Sequence, residues 1–184
     1  MQKPKRMNPK LLNTIRVLAL IAVFGITALL FLNRDKVSHL GVFGYPGIFL
    51  ISMLSNATLI LPVPGVLFTS AMAAIFNPWW VALAAGSGAA LGELTGYMAG
   101  FSGQAIIENR KWYDRLTVWI KKYGSLTIFL LALIPNPIFD IGGMVAGALR
   151  MPIWRFLLFC WLGKIGKMLF FSLGSVTILK LFGL

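Results

Sequence analysis

The 184-residue sequence has one cysteine, Cys160, and one histidine, His39. A disulfide framework needs paired thiols, and a zinc or Cys/His cluster needs several such ligands, so no metal centre is expected. Acidic residues are scarce too, with five Asp and Glu against 17 Lys and Arg. Charge of either sign makes up 12% of the chain, about half the share of a soluble domain. From Val37 to Gly92 there is no Asp, Glu, Lys or Arg at all. What is present is apolar: 58% hydrophobic residues and a mean hydropathy of +0.83. A soluble domain of this size has too little interior to hide that surface, so the composition indicates an all-α integral membrane protein without a separate soluble domain.

The basic excess suggests nucleic acid only until its positions are considered. Lys3, Lys5, Arg6, Lys10 and Arg16 open the chain, Arg110, Lys111, Arg115, Lys121 and Lys122 fall in the stretch 106–122, and Arg150 and Arg155 form a third group. Each group flanks an apolar run, where positive residues set topology and attract anionic headgroups. No nucleic-acid partner is expected.

Residues 1–36 hold the basic N-terminus and a first spanning candidate, Leu11 to Leu32. No small-residue cleavage site follows and the run is longer than a signal h-region, which favours a retained helix. The rest, 37–184, reads as one membrane domain. Its first part, 43–76, would be about 50 Å long as a single helix. Asn56 and the run Leu61-Pro62-Val63-Pro64-Gly65 break it into arms too short to cross a hydrocarbon core, which predicts a re-entrant hairpin. A long helix over 79–105 follows, then the basic linker 106–122, suited to a short amphipathic helix lying on the membrane. A second hairpin over 123–149 is split by Ile134-Pro135-Asn136-Pro137, and a last long helix covers 152–183.

The two halves correspond. Pro62 and Pro64 match Pro135 and Pro137, while Pro78 and Trp80 match Pro152 and Trp154. If both hairpins return to their own side, the inside collects the N-terminus, the linker, Arg150 and Arg155, and the outside only Arg34, Lys36 and Lys180. The N-terminus is then inside, the C-terminus outside, and the halves form an inverted repeat, a design associated with transport sites near the midplane.

Four charges fall within apolar segments: Glu93, Asp140, Lys164 and Lys167. Each costs about 2.5–3.5 kcal/mol on insertion scales if it faces lipid, so each should face protein or a wet cavity. Gly88, Gly92, Gly96 and Gly100 recur every fourth residue around Glu93, a strip that admits a neighbouring backbone from this chain or a second copy. Lys167 occupies in the second half the place of Glu93 in the first, and Lys164 lies one turn earlier. The group reads either as a charged cavity for a headgroup, a phosphate or protons, or as two buried ion pairs that lock helices. Arg150 and Arg155 read either as topology determinants or as a guanidinium grip on lipid phosphate. Asn56 and Asn136 are expected to satisfy broken backbone.

Leu61-Pro62-Val63-Pro64-Gly65, Gly92-Glu93-Leu94-Thr95-Gly96-Tyr97-Met98-Ala99-Gly100, and Ile134-Pro135-Asn136-Pro137 followed by Ala146-Gly147-Ala148-Leu149-Arg150-Met151 together resemble the DedA family, also called the VTT or SNARE-associated family, over about residues 45–178. The resemblance implies two facing hairpins, a bacterial inner-membrane or eukaryotic endomembrane setting, and a role in lipid translocation. It further implies, from bacterial relatives, recycling of undecaprenyl phosphate or phosphatidylethanolamine and proton-motive-force homeostasis and, from eukaryotic ones, phospholipid scrambling. Arginines that many bacterial members carry around the second proline motif are replaced here by Ala132-Leu133-Ile134 before it and Ile138-Phe139-Asp140 after it.

The reading that follows is a non-enzymatic lipid translocase or scramblase of a bacterial or archaeal cell membrane, without a cofactor. Its partner is a phospholipid or polyprenyl phosphate, with protons and self-association open. A proton-coupled transporter of a small solute is the alternative. An intramembrane hydrolase using Glu93 and Asp140 would need both carboxylates within hydrogen-bond reach of one site. A structural membrane protein would tolerate neutralisation of all four charges.

Overall fold

The computed structural model describes residues 44–57, 65–103, 110–136 and 138–181, with isolated helical positions at 14, 21, 25 and 32. Most of the first spanning candidate, the N-terminal basic group, Arg34, Lys36, His39, the first proline break with Pro62 and Pro64, and Pro137 lie outside the described residues.

Among the described residues every regular element is an α-helix: α1 Gly44–Ala57, α2 Gly65–Ala73, α3 Pro78–Gly92, α4 Leu94–Phe101, α5 Arg110–Tyr123, α6 Ser125–Leu133, α7 Phe139–Ala148 and α8 Ile153–Leu181. The boundaries have local causes. At the start of α3, the Asn77 side chain accepts from the Trp79 N–H at 3.0 Å, and Pro78 occupies the first turn, where no amide partner is needed. α6 stops at Leu133 because Pro135 forces Ile134 into extended backbone (φ −85°, ψ 131°). Asn136 then repairs the break. Its Nδ2 donates to the carbonyls of Leu131 (2.9 Å) and Ile134 (2.8 Å), and its Oδ1 accepts from the Ile138 N–H (3.0 Å). In lipid, where water is absent, such repair is what makes irregular backbone tolerable.

The end of α7 is a Schellman turn: Met151 N–H donates to Ala146 O at 3.0 Å and Arg150 N–H to Gly147 O at 2.9 Å. The residue at its left-handed position is Arg150 (φ 54°), where glycine is the usual occupant.

The helix expected over 79–105 is interrupted at Glu93, which separates α3 from α4. The interruption is shallow. Glu93 keeps right-handed backbone (φ −66°, ψ −13°), donates to Ala89 O and accepts from Tyr97 N–H, both at 3.1 Å. α8 is the one helix among the described residues long and apolar enough to cross a membrane, over Ile153–Ile178. At 1.5 Å per residue it is about 43 Å long, whereas α6 and α7 reach about 14 Å each.

α3 packs on α1 and α8, α8 also on α6 and α2, α4 on α7, and α5 rests on α6 and α7. Two apolar clusters result, one around Ile48, Phe68, Met72, Val81, Ala85 and Met168, the other around Leu116, Ile128, Val145, Phe156 and Cys160. Close approach depends on glycine. A Cβ on Gly88 would run into the Phe49 carbonyl, one on Gly92 into that of Met53, and one on Gly100 into that of Met144. The strip thus serves contacts within the chain at these three positions. Trp79, Trp80, Leu130, Trp154, Leu158, Phe170 and Ile178 stand exposed on the outside, an apolar surface suited to lipid rather than water.

Candidate functional site

α3 and α8 cross where Gly86 lies against Ile165, whose backbone nitrogen would sit 2.9 Å from a Cβ on that glycine. This contact sets Lys164 of α8 beside Glu93 at the α3–α4 junction. The two form an ion pair and a hydrogen bond through Nζ and Oε1, and each residue is only 3% exposed. The Lys164 ammonium has two further neighbours. Asn56, near the end of α1, accepts from Nζ through Oδ1 at 2.9 Å, and the Phe139 ring at the start of α7 lies with its centroid 4.6 Å away. Asn56 is itself held by its Nδ2, which donates to Ser52 O at 2.8 Å. Thr95 ties the same corner by donating to the carbonyls of Ala57 and Gly92, each at 3.0 Å. Five helices, α1, α3, α4, α7 and α8, therefore converge on one buried ammonium–carboxylate pair.

Asp140 sits in the first turn of α7 and is exposed from the protein, while Lys167 lies one turn beyond Lys164 and is half-buried. Both are within electrostatic reach of the pair. The four charges expected from sequence thus gather in one region, two of each sign, but only Glu93–Lys164 closes as an ion pair among the described residues. The Glu93 carboxylate is engaged by Lys164, and Asp140 acts on it electrostatically. Among the described residues no group of three or more His, Cys, Asp and Glu comes together to hold a metal.

Arg150 and Arg155 are not brought to this cluster. They stand exposed at the α7–α8 corner, Arg150 with its guanidinium 5.9 Å from the Phe101 ring centroid and Arg155 5.1 Å from that of Trp154. Nine residues of α8, about 13 Å, separate Arg155 from Lys164. Of the hairpin-break residues, Gly65 opens α2, and Pro135 and Asn136 form the α6–α7 turn. Gly96 is buried near Gly143.

Sequence reasoning missed three contributors. Asn56, expected only to satisfy broken backbone, also solvates Lys164; an amide in a charge-free apolar run was the available signal. Phe139 gave none. Tyr97 donates to Met151 O at 2.5 Å and packs on Phe156 with centroids 4.9 Å apart, tying α4 to the α7–α8 corner.

An all-helical body among the described residues, with an apolar exterior and a buried charge pair where five helices meet, defines a membrane protein. The VTT domain model matches residues 63–176, which include Glu93, Asp140, Lys164 and Lys167, and the chain belongs to that family, whose membrane proteins are generally linked to transport and are transporter-like rather than enzymatic. Similar curated proteins include Vacuole membrane protein KMS2 of Arabidopsis thaliana, 32% identical over 43% of this chain and 24% of that protein. Vacuole membrane protein KMS1 of the same plant is 33% identical over 28% of this chain and 13% of its own length. The chain thus spans a quarter or less of these relatives. No solved structure matches it.

Proposed function

We propose that the chain moves lipids between leaflets, sheltering a polar or phosphate-bearing headgroup along the charged cluster while the acyl chains stay in the bilayer. The observation that carries this reading is the Glu93–Lys164 pair. Two oppositely charged groups, each 3% exposed, are held where four shorter helices meet a long one, and a second acid and base stand nearby without closing on each other. Intramembrane charge of this kind belongs to translocation pathways more often than to inert packing. Asp140, exposed at the break between α6 and α7, is the group best placed to meet a headgroup first.

The arrangement as an inverted repeat of two re-entrant hairpins is part of the proposal, and the packing supports it. α1 lies on α3 as α6 lies on α8, and α2 reaches across to α8 as α7 reaches across to α4. Ser87 and Trp161, 74 residues apart, hydrogen-bond to each other at 2.8 Å. That separation is also the offset between Glu93 and Lys167, as expected for residues facing one another across a two-fold axis. In this arrangement α5 and the α7–α8 corner face the inside, Arg150 and Arg155 anchor inner-leaflet phosphates, and the setting is a cell membrane with the N-terminus inside and the C-terminus outside.

Reconstitution tests the reading. Liposomes carrying the full chain and a fluorescent phospholipid in both leaflets should lose nearly all fluorescence to an impermeant quencher, where protein-free liposomes lose about half. Loss of half in both cases refutes it. Gradient-driven solute uptake that Glu93→Gln abolishes, with lipid movement at background, would put a proton-coupled transporter in its place.

A further inference from the structure

α5 is amphipathic, and its apolar face is occupied. Leu116 and Ile120, buried in the cluster around Val145 and Phe156, seat the helix on α6 and α7. Thr127 of α6 donates to Trp119 O at 3.2 Å, and a single residue, Gly124 (φ 58°), separates the two helices. α6 turns Leu126 and Leu130 outward, into the exterior suited to lipid. α5 carries five cations, so it cannot follow α6 into hydrocarbon. Joined to α6 by one residue, it lies where that exterior meets water.

The outward face is cationic. Lys111, Arg115, Val118 and Lys122 follow one another along a single stripe at helical spacing, all exposed, and none of its three cations closes an ion pair among the described residues. The one acid of α5, Asp114, shares a different edge with Arg110 and Lys121, four residues after the first and seven before the second. It offsets that edge and leaves the stripe uncompensated. Along the stripe's other border run Trp112, Trp119 and Tyr123. Their rings hold two of the cations: the Arg115 guanidinium is 5.1 Å from the Trp112 centroid, and Lys122 Nζ is 5.0 Å from that of Tyr123. Trp119 and Tyr123 themselves stay exposed. Cations beside open indole and phenol rings suit the headgroup level, with the rings at the acyl boundary and the charge among phosphates.

We infer that the stripe of Lys111, Arg115 and Lys122 is a docking surface for anionic phospholipid of the adjoining leaflet. Its ligand class is a phospholipid whose headgroup carries net negative charge. A zwitterionic headgroup brings its own ammonium to the stripe and gains little there. Arg115 presents a planar fork to phosphate oxygens, the two lysines add compact charge on either side, and Trp119 and Tyr123 border the upper acyl chain. The surface is separate from Arg150 and Arg155 at the α7–α8 corner. It fixes how the chain sits on its leaflet and does not depend on lipids being moved.

Val118, exposed on the stripe itself, takes the reporter. The full chain with Val118→Cys on a Cys160→Ala background is labelled with bimane and reconstituted in liposomes. At equal mole fraction, nitroxide-labelled phosphatidylglycerol should quench the label at least about twofold more than nitroxide-labelled phosphatidylcholine. Each cation at an anionic surface is worth about fivefold in partitioning, so Lys111→Gln/Arg115→Gln/Lys122→Gln should abolish a preference of this size. Arg110→Gln/Lys121→Gln, on the edge that Asp114 offsets, should retain it. Equal quenching by the two lipids leaves the stripe to water or an acidic protein and overturns the assignment. So does a preference that survives the triple variant, or one that the double variant removes as completely. Salt gives a measurement that needs no change to the stripe: raising ionic strength from about 0.05 to about 0.5 M should remove most of the preference, and a salt-insensitive preference overturns the assignment. None of these readouts involves leaflet exchange, so a failed docking surface leaves the lipid-moving reading standing, and a failed exchange assay leaves the surface standing.

Discussion

Lys164→Met removes the ammonium from a site with almost no solvent and leaves the Glu93 carboxylate among apolar side chains. Breaking a buried pair from one side costs about 3–5 kcal/mol, because the remaining charge is neither solvated nor compensated. Asn56 simultaneously loses the donor to its Oδ1. At roughly 2–4 °C per kcal/mol for a chain of this length, the thermal midpoint should fall by about 6–20 °C. Pairing the change with Glu93→Gln removes both charges together, and replacing a whole buried pair by neutral groups is often close to neutral. The double variant should therefore melt within a few degrees of the wild type. The chain's six tryptophans give an intrinsic fluorescence readout of the transition in detergent. Two results would refute the reasoning: a single variant as stable as the wild type, or a double variant that melts no higher than Lys164→Met alone.

Other perturbations separate packing from charge. Gly100→Leu drives a side chain into the Met144 carbonyl, a backbone group that cannot yield without moving α7, and should cost about 1–3 kcal/mol, seen as a lower midpoint. Tyr97→Phe keeps the ring on Phe156 and loses only the bond to Met151 O, so a fall of about 0.5–1.5 kcal/mol is expected. Arg150→Gly relieves a left-handed non-glycine residue and should raise stability by about 1 kcal/mol; in the lipid reading it should also weaken retention of anionic lipid in nanodiscs.

The all-helical class was legible because long apolar runs without charge leave the chain few alternatives in a membrane. The break at Pro135 was legible for the same local reason: that proline dictates the conformation of Ile134 before any tertiary contact forms. The partners within the charged cluster were not. Glu93 is 71 residues from Lys164 and Asn56 is 108 residues from it, and nothing local states which base closes on which acid. The sequence placed Glu93, Asp140, Lys164 and Lys167 as candidates of equal standing. The fold makes them unequal, with one closed pair and two groups left to interact at longer range. The slackened helix at Glu93 was also beyond local reading, since its flanks, Gly92 and Leu94, suit a continuous helix passing a neighbour as well as one that pauses.

Leaflet exchange by the Glu93→Gln/Lys164→Met double variant bears most directly on the role assigned to the buried charges. Reconstituted beside the wild type at equal protein density, the variant should keep its fold and midpoint while its exchange rate drops to that of protein-free liposomes. Exchange at the wild-type rate would mean that the pair only locks helices together and that headgroups pass elsewhere.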